Sequence, residues 1–274
     1  MHAEIGFTII TLRESDVPTY HGAVSERRTS PVAHPHISFD ACTPGFRKKL
    51  LGEAPLFEGL PTEAVDRVNT RFIDTGFTTG ETILHEGDPS DRFYIIALGV
   101  VTLLRTTDEG ESVVLDVLTT GDYFGSVAGY GPQRHTESAV ARTTVCALSI
   151  DAEGFRSIIS DHPSVALRTI ETLSNRLHLA HELVTQLGGY PADVRIAYVL
   201  LRLAAKLGRP WEGTTLINAP MQREEIASMA GTTTETCSRT ISAFRREGYL
   251  KTGRGWIALS DKTGLERLVA TTER

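Results

Sequence analysis

Between about Lys48 and Ile150 the apolar positions come in short runs, each closed by glycine or by an acidic turn. Phe77 is followed by Gly80, Thr82–Leu84 by Gly87-Asp88, and Phe93–Leu98 by Gly99. Val100–Leu104 ends in Asp108-Glu109-Gly110, and Val113–Leu118 ends in Gly121-Asp122. Strands of about five residues, with a glycine turn roughly every ten, predict an antiparallel roll or barrel, and Asp-Glu-Gly suits a hairpin tip. After Ile150 the period lengthens. Ala166, Ile170, Leu173, Leu177, Ala180, Val184 and Leu187 alternate spacings of four and three, an apolar heptad seam that starts after Asp161 and Pro163 and ends at Gly188-Gly189. A stripe this narrow fits a helix packed on one partner helix, and it predicts a dimer; the competing reading is that the helix packs on its own roll.

Gly188-Gly189-Tyr190-Pro191 reads as a hinge. Beyond it lie a helix with Val194, Ala197, Val199, Leu200, Leu203 and Ala204 on one face and a Gly/Pro loop at Gly208–Gly213. A helix over Gln222–Met229 then breaks at Gly231, and a second runs from the Thr232–Thr234 stretch to about Glu247. Ala227 and Gly231 are small where two helices must cross, while Ile226, Met229, Cys237, Ile241 and Phe244 supply apolar contacts, a helix-turn-helix pattern. Gly248–Leu250 and Trp256–Leu259, around Gly253-Arg254-Gly255, predict two wing strands. The expected organisation is α+β: an arm over 1–45 with one short strand at Phe7–Leu12, a roll over 46–160, the seam helix over 161–188 and a winged helix-turn-helix over 189–274.

Composition narrows the function classes. With 274 residues, 41% hydrophobic and 23% charged, the chain can build cores, and no apolar run approaches the roughly 20 residues that span a bilayer. The start of the chain has neither the basic nor the long apolar region of a signal peptide, so a cytoplasmic protein is expected. The net charge of −6 hides an asymmetry. Residues 1–188 carry 15 Lys+Arg against 25 Asp+Glu, a net of −10, whereas 189–274 carry 13 against 9, a net of +4. A basic end on an acidic chain suits nucleic-acid binding at that end. Three scattered cysteines, Cys42, Cys146 and Cys237, fit a reducing compartment, argue against a disulfide framework and are too few for a four-cysteine cluster within one chain.

On the second helix of the motif, Glu235, Ser238 and Arg239 share one face, where a recognition helix meets base edges. An Arg can bind guanine O6 and N7 together, and a carboxylate can accept from the cytosine amino group. Gln222, Thr233, Thr234 and Arg254 complete the expected DNA contacts. Thr232-x-x-Glu235 also fits a capping box, which would draw on the same carboxylate.

Roll, heptad helix, hinge and winged helix-turn-helix, in that order over about residues 48–262, resemble the CRP/FNR family of bacterial transcription regulators. The resemblance implies a cyclic-nucleotide-binding-like roll of eight strands and a homodimer on palindromic double-stranded DNA. It also implies contact with RNA polymerase through Gly208–Asn218 and the acidic tip Asp108–Glu111. Glu235-Thr-Cys-Ser238-Arg239 looks like the FNR branch, which reads TTGAT-like half-sites; Thr234 and Ser238 stand where the cyclic-AMP branch carries Arg and Gly.

The same resemblance places an effector pocket at Phe124, Gly125, Ser126, Val127, Arg134, His135, Thr136, Glu137 and Ser138. Family members that bind cyclic AMP carry Glu after Phe-Gly and Arg before Ser/Thr-Ala, the Arg neutralising the phosphate. Ser126 and Glu137 stand there, which argues against cyclic AMP unless Arg134 or His135 substitutes. The cofactor stays open: the cysteine count argues against an iron–sulfur cluster, and haem would need an axial ligand from His85, His135, His178 or His181. Cys146 reads as core or as a redox thiol, Cys237 as core, and no metal-binding set is apparent. The alternative reading is a cyclic-nucleotide-binding regulatory module, a cyclic-AMP-dependent regulator or a protein-interaction adaptor. An enzyme is not expected, since the chain has no Walker loop, no His-Glu-x-x-His and no nucleophile elbow.

Overall fold

A computed structural model describes residues 31, 42–127 and 129–271; the expected strand at Phe7–Leu12 and most of the arm lie outside them. The described residues divide into two compact units, with 42–105 and 117–177 in one and 106–116 and 178–271 in the other.

The first unit opens with α1 (Pro44–Glu53), a 3-10 turn (Pro55–Phe57) and α2 (Thr62–Asn69). Thr43 caps α1 by accepting the Phe46 N–H at 3.2 Å, and Pro44 sits at the first helical position, where its missing N–H costs nothing. Eight strands follow, β5 lying mostly in the 106–116 stretch grouped with the second unit: β1 (Ile73–Phe77), β2 (Thr82–Leu84), β3 (Arg92–Leu98), β4 (Val101–Thr106), β5 (Ser112–Leu118), β6 (Tyr123–Gly125), β7 (Ser138–Ala141) and β8 (Val145–Asp151). They make two four-stranded sheets, ordered β1-β8-β3-β6 and β2-β7-β4-β5. Helix α3 (Ala152–Asp161), capped by Asp151 Oδ1 accepting from the Gly154 N–H at 2.7 Å, and the start of α4 (Pro163–Gly189) complete this unit.

Strand alternation sorts the side chains into two cores. Ile96 in β3, Phe124 in β6, and Val145 and Ala147 in β8 face the other sheet, meeting Leu84, Val101, Leu103, Leu118, Ala139 and Ala141. Phe93, Ile95, Ala97, Cys146, Leu148 and Ile150 face outward, under α1, α2, α3 and Val165 of α4. Phe93 stacks on Phe155 with ring centroids 4.4 Å apart. Strands covered on both faces are apolar at successive positions, as Phe93–Leu98 is.

Two glycines are dictated by geometry. Gly99, between β3 and β4, has φ +98°, and a Cβ there would lie 2.4 Å from the Thr144 carbonyl oxygen. Gly99→Ala is expected to destabilise the roll by about 2 kcal/mol or more, from left-handed strain plus a backbone clash. Chemical denaturation read by fluorescence checks it, and an unchanged midpoint would contradict it. The other is Gly231, at φ +56°.

The second unit holds α5 (Ala192–Leu207), β9 (Gly208–Trp211), β10 (Thr214–Ile217), α6 (Arg223–Met229), α7 (Thr234–Arg246), β11 (Leu250–Gly253), β12 (Trp256–Leu259) and α8 (Lys262–Thr271). Its sheet is ordered β11-β12-β10-β9, with Trp211 and Trp256 in edge contact at 5.1 Å.

Several expectations are corrected. Cys42 and Cys146 form a disulfide across 104 positions, because the helical layer brings the lead-in to α1 over the outward side of β8; the sequence shows neither the helix nor that face. Helix α1 starts at Pro44, inside the expected arm. Gly208–Gly213 is not a loop but β9 and a tight turn, with Glu212 at φ +45° and Gly213 at +72°, the two positive values a paired two-residue hairpin needs. Both Gly188 and Gly189 belong to α4, and the chain breaks only at Tyr190-Pro191, where proline has no N–H to continue the helix.

Candidate nucleic-acid interface

The second unit builds its helix-turn-helix from two helix ends of the same design. Helix α6 ends at Ala230, and the N–H groups of Gly231 and Thr232 donate to the Ser228 and Ala227 carbonyls at 3.1 and 3.0 Å. This closure requires a left-handed residue, supplied by Gly231 at φ +56°, and it turns the chain straight into α7. Helix α7 ends likewise: Gly248 and Tyr249 donate to the Arg245 and Phe244 carbonyls, and the Phe244 and Tyr249 rings meet edge-on at 5.8 Å. The Arg195 guanidinium of α5 braces the turn by donating to the carbonyls of Tyr190 at 3.2 Å and Gly231 at 3.0 Å.

Ile226, Ala227, Met229, Cys237, Ile241 and Phe244 are buried between the helices, as their spacing predicts. Burial pushes the Cys237 thiol up to about 11, offset in part by the Arg223 guanidinium, and burial also lowers Arg223. Native Cys237 is therefore expected to resist iodoacetamide at pH 8 and to react only after unfolding. The raised value works in one direction. The stabilisation is complete below the unfolded thiol's pKa near 9 and is lost as pH rises towards 11, because the unfolded chain ionises first. Melting curves at pH 8 and pH 10.5, with Cys237→Ser as control, read this. An equal alkaline loss in both proteins would refute it.

Thr233, not Thr232, caps α7: its Oγ1 accepts the Thr236 N–H at 3.2 Å. The proposed Thr232–Glu235 capping box is thus corrected, since the helix starts one residue later and puts Glu235 in its first turn. Glu235 and Arg239 are 80% and 71% exposed in their side chains, 3.8 Å apart, and the carboxylate has no capping duty. Thr233 and Thr234 are exposed, and Ser238 is half-buried. Gln222 precedes α6, where its N–H donates to Glu225 Oε2 at 2.8 Å, and its side chain is exposed. Arg254 is exposed at the tip of the β11–β12 hairpin. The stripe extends further than expected: Ser242 and Arg246, seven and eleven positions after Glu235, are also exposed on α7, and that helical spacing could have found them.

Along α4, Ile170, Leu177 and Val184 are 60%, 58% and 67% exposed, and Leu173, Ala180 and Leu187 are exposed as well. The apolar seam is therefore open along this helix. At its start Leu167, 69% exposed, takes the place expected for Ala166, which is half-buried.

In the roll, Phe124 and Ser126 are buried, and the Tyr94 and Phe124 rings stack at 5.0 Å. Gly125 follows Phe124 at the end of β6, paired with Phe93, and half-buried Val127 accepts the Tyr130 N–H at its carbonyl. The Arg134 guanidinium donates to the Gly87 carbonyl at 2.6 Å, and His135 is buried, its backbone bonded to Gly87 and Asp88. The Thr136 hydroxyl donates to the Glu137 carboxylate. Ser138 Oγ accepts the Glu86 N–H at 2.9 Å. Arg134 is thus held on the backbone, and the acid at 137 stands at the place where the resemblance expects a cation. His85, His178 and His181 are exposed, and no group of three or more His, Cys, Asp or Glu side chains converges among the described residues.

Comparison with known proteins settles the family. Residues 75–162 match the model of the cyclic nucleotide-binding domain, and residues 194–268 match the Crp-like helix-turn-helix domain. The Cyclic AMP receptor protein of Thermus thermophilus is 31% identical over 216 residues, 78% of this chain and 96% of that protein. The chain belongs to the CRP/FNR family. This CRP/FNR regulator is also 29% identical over 219 residues to the CRP-like cAMP-activated global transcriptional regulator of Mycobacterium tuberculosis, covering 80% of this chain and 98% of that one. Among solved structures it resembles a CRP/FNR-family transcriptional regulator from Thermus thermophilus, with TM-score 0.62, 28% identity, and coverage of 72% and 98%. These relatives are DNA-binding transcription regulators and not enzymes. No described helix of this CRP/FNR chain is long and apolar enough to cross a membrane.

Proposed function

We propose that this chain is a cytoplasmic homodimer that binds a TTGAT-like palindrome through Glu235, Ser238 and Arg239, flanked by Thr233, Thr234, Gln222 and Arg254. The observation that carries the reading is the exposed Glu235–Arg239 pair in the first turns of α7, where base edges are read. Ser242 and Arg246 extend the contact along the helix. The open seam of α4 supports two such helices facing successive major grooves. Gly208–Asn218 and Asp108–Glu111 are proposed to touch RNA polymerase. A signal at the roll, either an effector or a redox change, is proposed to shift the equilibrium between DNA-binding and non-binding arrangements.

The second reading is a cyclic-AMP-dependent regulator, favoured by the names of the two relatives above. Ser126 and Glu137 argue against it, because an acid there repels a cyclic phosphate. Haem stays a proposal with His85, His135, His178 and His181 as candidate ligands.

Fluorescence anisotropy separates the readings. Labelled palindromes of TTGAT type and of cyclic-AMP-branch type are titrated at one fixed salt, because phosphate contacts dominate raw affinity, with and without cyclic AMP. The expected result is selective binding to the TTGAT-type site without nucleotide. Binding only to the other site, and only with cyclic AMP, would overturn it. Addition of RNA polymerase holoenzyme to the bound complex, with and without substitutions at Asp108, Glu109 and Glu111, reads the third partner.

A further inference from the structure

The outer core of the roll contains a feature that the DNA-binding function does not use. Cys42 immediately precedes Thr43, the cap of α1, and its sulfur is bonded to that of Cys146 in β8, both side chains buried in the layer between the helices and the sheet. Cys146 lies opposite Gly76 of β1 and Leu98 of β3, so the bond anchors the entry of α1 to the middle of a sheet. The third cysteine, Cys237, belongs to the second unit and is free.

We infer that Cys42 and Cys146 are a reversible thiol–disulfide couple, a modification site whose co-substrate is a low-molecular-weight disulfide. Two observations carry this. The chain has no disulfide framework, so this one bond is placed at a single point of a protein that otherwise reads as cytoplasmic, where structural disulfides are rare. The layer around the pair is also complete without it. Phe46, Leu50, Leu51, Phe57, Phe93, Phe155 and Ile158 are buried there, so α1 has an apolar reason to stay on the sheet in either state.

Cys42 is the entry sulfur, because it precedes the N-cap of α1, at the end of an element where local opening costs least, whereas Cys146 is held in β8 between β1 and β3. Its thiolate attacks one sulfur of the small disulfide RSSR, forming a Cys42–S–S–R bond and releasing RS⁻, which takes up the proton that Cys42 lost. The Cys146 thiolate then attacks the Cys42 sulfur, forming the Cys42–Cys146 bond and expelling the second RS⁻, protonated in the same way. The two cysteines are oxidised by two electrons, and RSSR is reduced to two RSH. Excess RSH reverses both steps.

The inference deepens the proposal that a redox signal reaches this chain through the roll and rests on that proposal for its consequence. Its test reads thiols and not DNA, so the two can fail separately. The full chain is equilibrated in glutathione buffers from fully reduced to strongly oxidised, then unfolded, alkylated and weighed intact. The expected result is a single transition from three alkylated cysteines to one, Cys237, without retained glutathione. The reduced form should melt lower by about 10 °C, the effect of opening a loop of this length. A Cys42→Ser/Cys146→Ser chain should melt at one temperature in every buffer. The Cys146→Ser chain should stop at glutathionylated Cys42. Three free thiols at the most oxidising ratio would overturn the inference, as would a glutathione adduct as the end state of the natural chain. A bond that survives the most reducing ratio in the folded protein would overturn it as well.

Discussion

A chain carrying Ile170→Glu and Leu177→Glu is expected to sediment as a monomer and to lose about 100-fold or more in affinity for a palindrome. Both side chains are more than half exposed on α4, so the substitutions cost the single chain little and its melting temperature should hold. In a twofold pair each occurs twice, so four apolar side chains leave the interface at about 1.5–3 kcal/mol apiece, and four carboxylates would have to be desolvated without partners. The loss on DNA follows from valency: two tethered recognition helices bind about 10²–10⁴-fold more tightly than one. Sedimentation velocity and anisotropy on the same samples check both halves. A variant that remains dimeric would show that α4 is not the interface.

Arg239→Ala is expected to weaken the TTGAT-type site by about 1–3 kcal/mol, roughly 5- to 150-fold, while affinity for random DNA changes little. Removing it leaves the fold intact, because its ion pair with Glu235 is exposed and such pairs contribute about 0.2–1 kcal/mol at most. Arg239→Lys should recover the affinity for random DNA but not the selectivity, since an ammonium cannot bind guanine O6 and N7 together with a planar fork. Equal losses on specific and random DNA would move Arg239 from base reading to phosphate contact.

These two expectations draw on different kinds of information. Helix α7 was legible because everything that shapes it is local. Gly231 must be left-handed, the apolar positions 226, 229, 237, 241 and 244 face one another by helical spacing, and the polar positions left over must be the exposed ones. Its cap lies one residue beyond the expected Thr232, because consecutive threonines at 232, 233 and 234 are equivalent candidates until backbone hydrogen bonds choose between them. The heptad seam was legible for the same reason, except at its start, where the choice between Ala166 and Leu167 depends on which face the roll covers.

The helices α1, α2, α3 and α8 and the hairpin of β9 and β10 were not legible. Helix α1 is short, and its apolar residues Phe46, Leu50 and Leu51 cover a sheet face that exists only after strands distant in the chain have paired. Strands β3 and β8 are apolar at nearly every position, which signals burial on both sides without saying what lies on the second side. The Cys42–Cys146 bond is the extreme case, because two cysteines 104 positions apart have no sequence relation until the helical layer folds over β8. By itself, then, the sequence determined the order of elements, the apolar stripe that α4 leaves exposed and the polar positions that α7 leaves exposed, all of which follow from periodicities shorter than about two helical turns. The tertiary structure alone decided what covers the roll, which cap starts α7 and which cysteines meet, because each depends on the packing of segments remote in the chain.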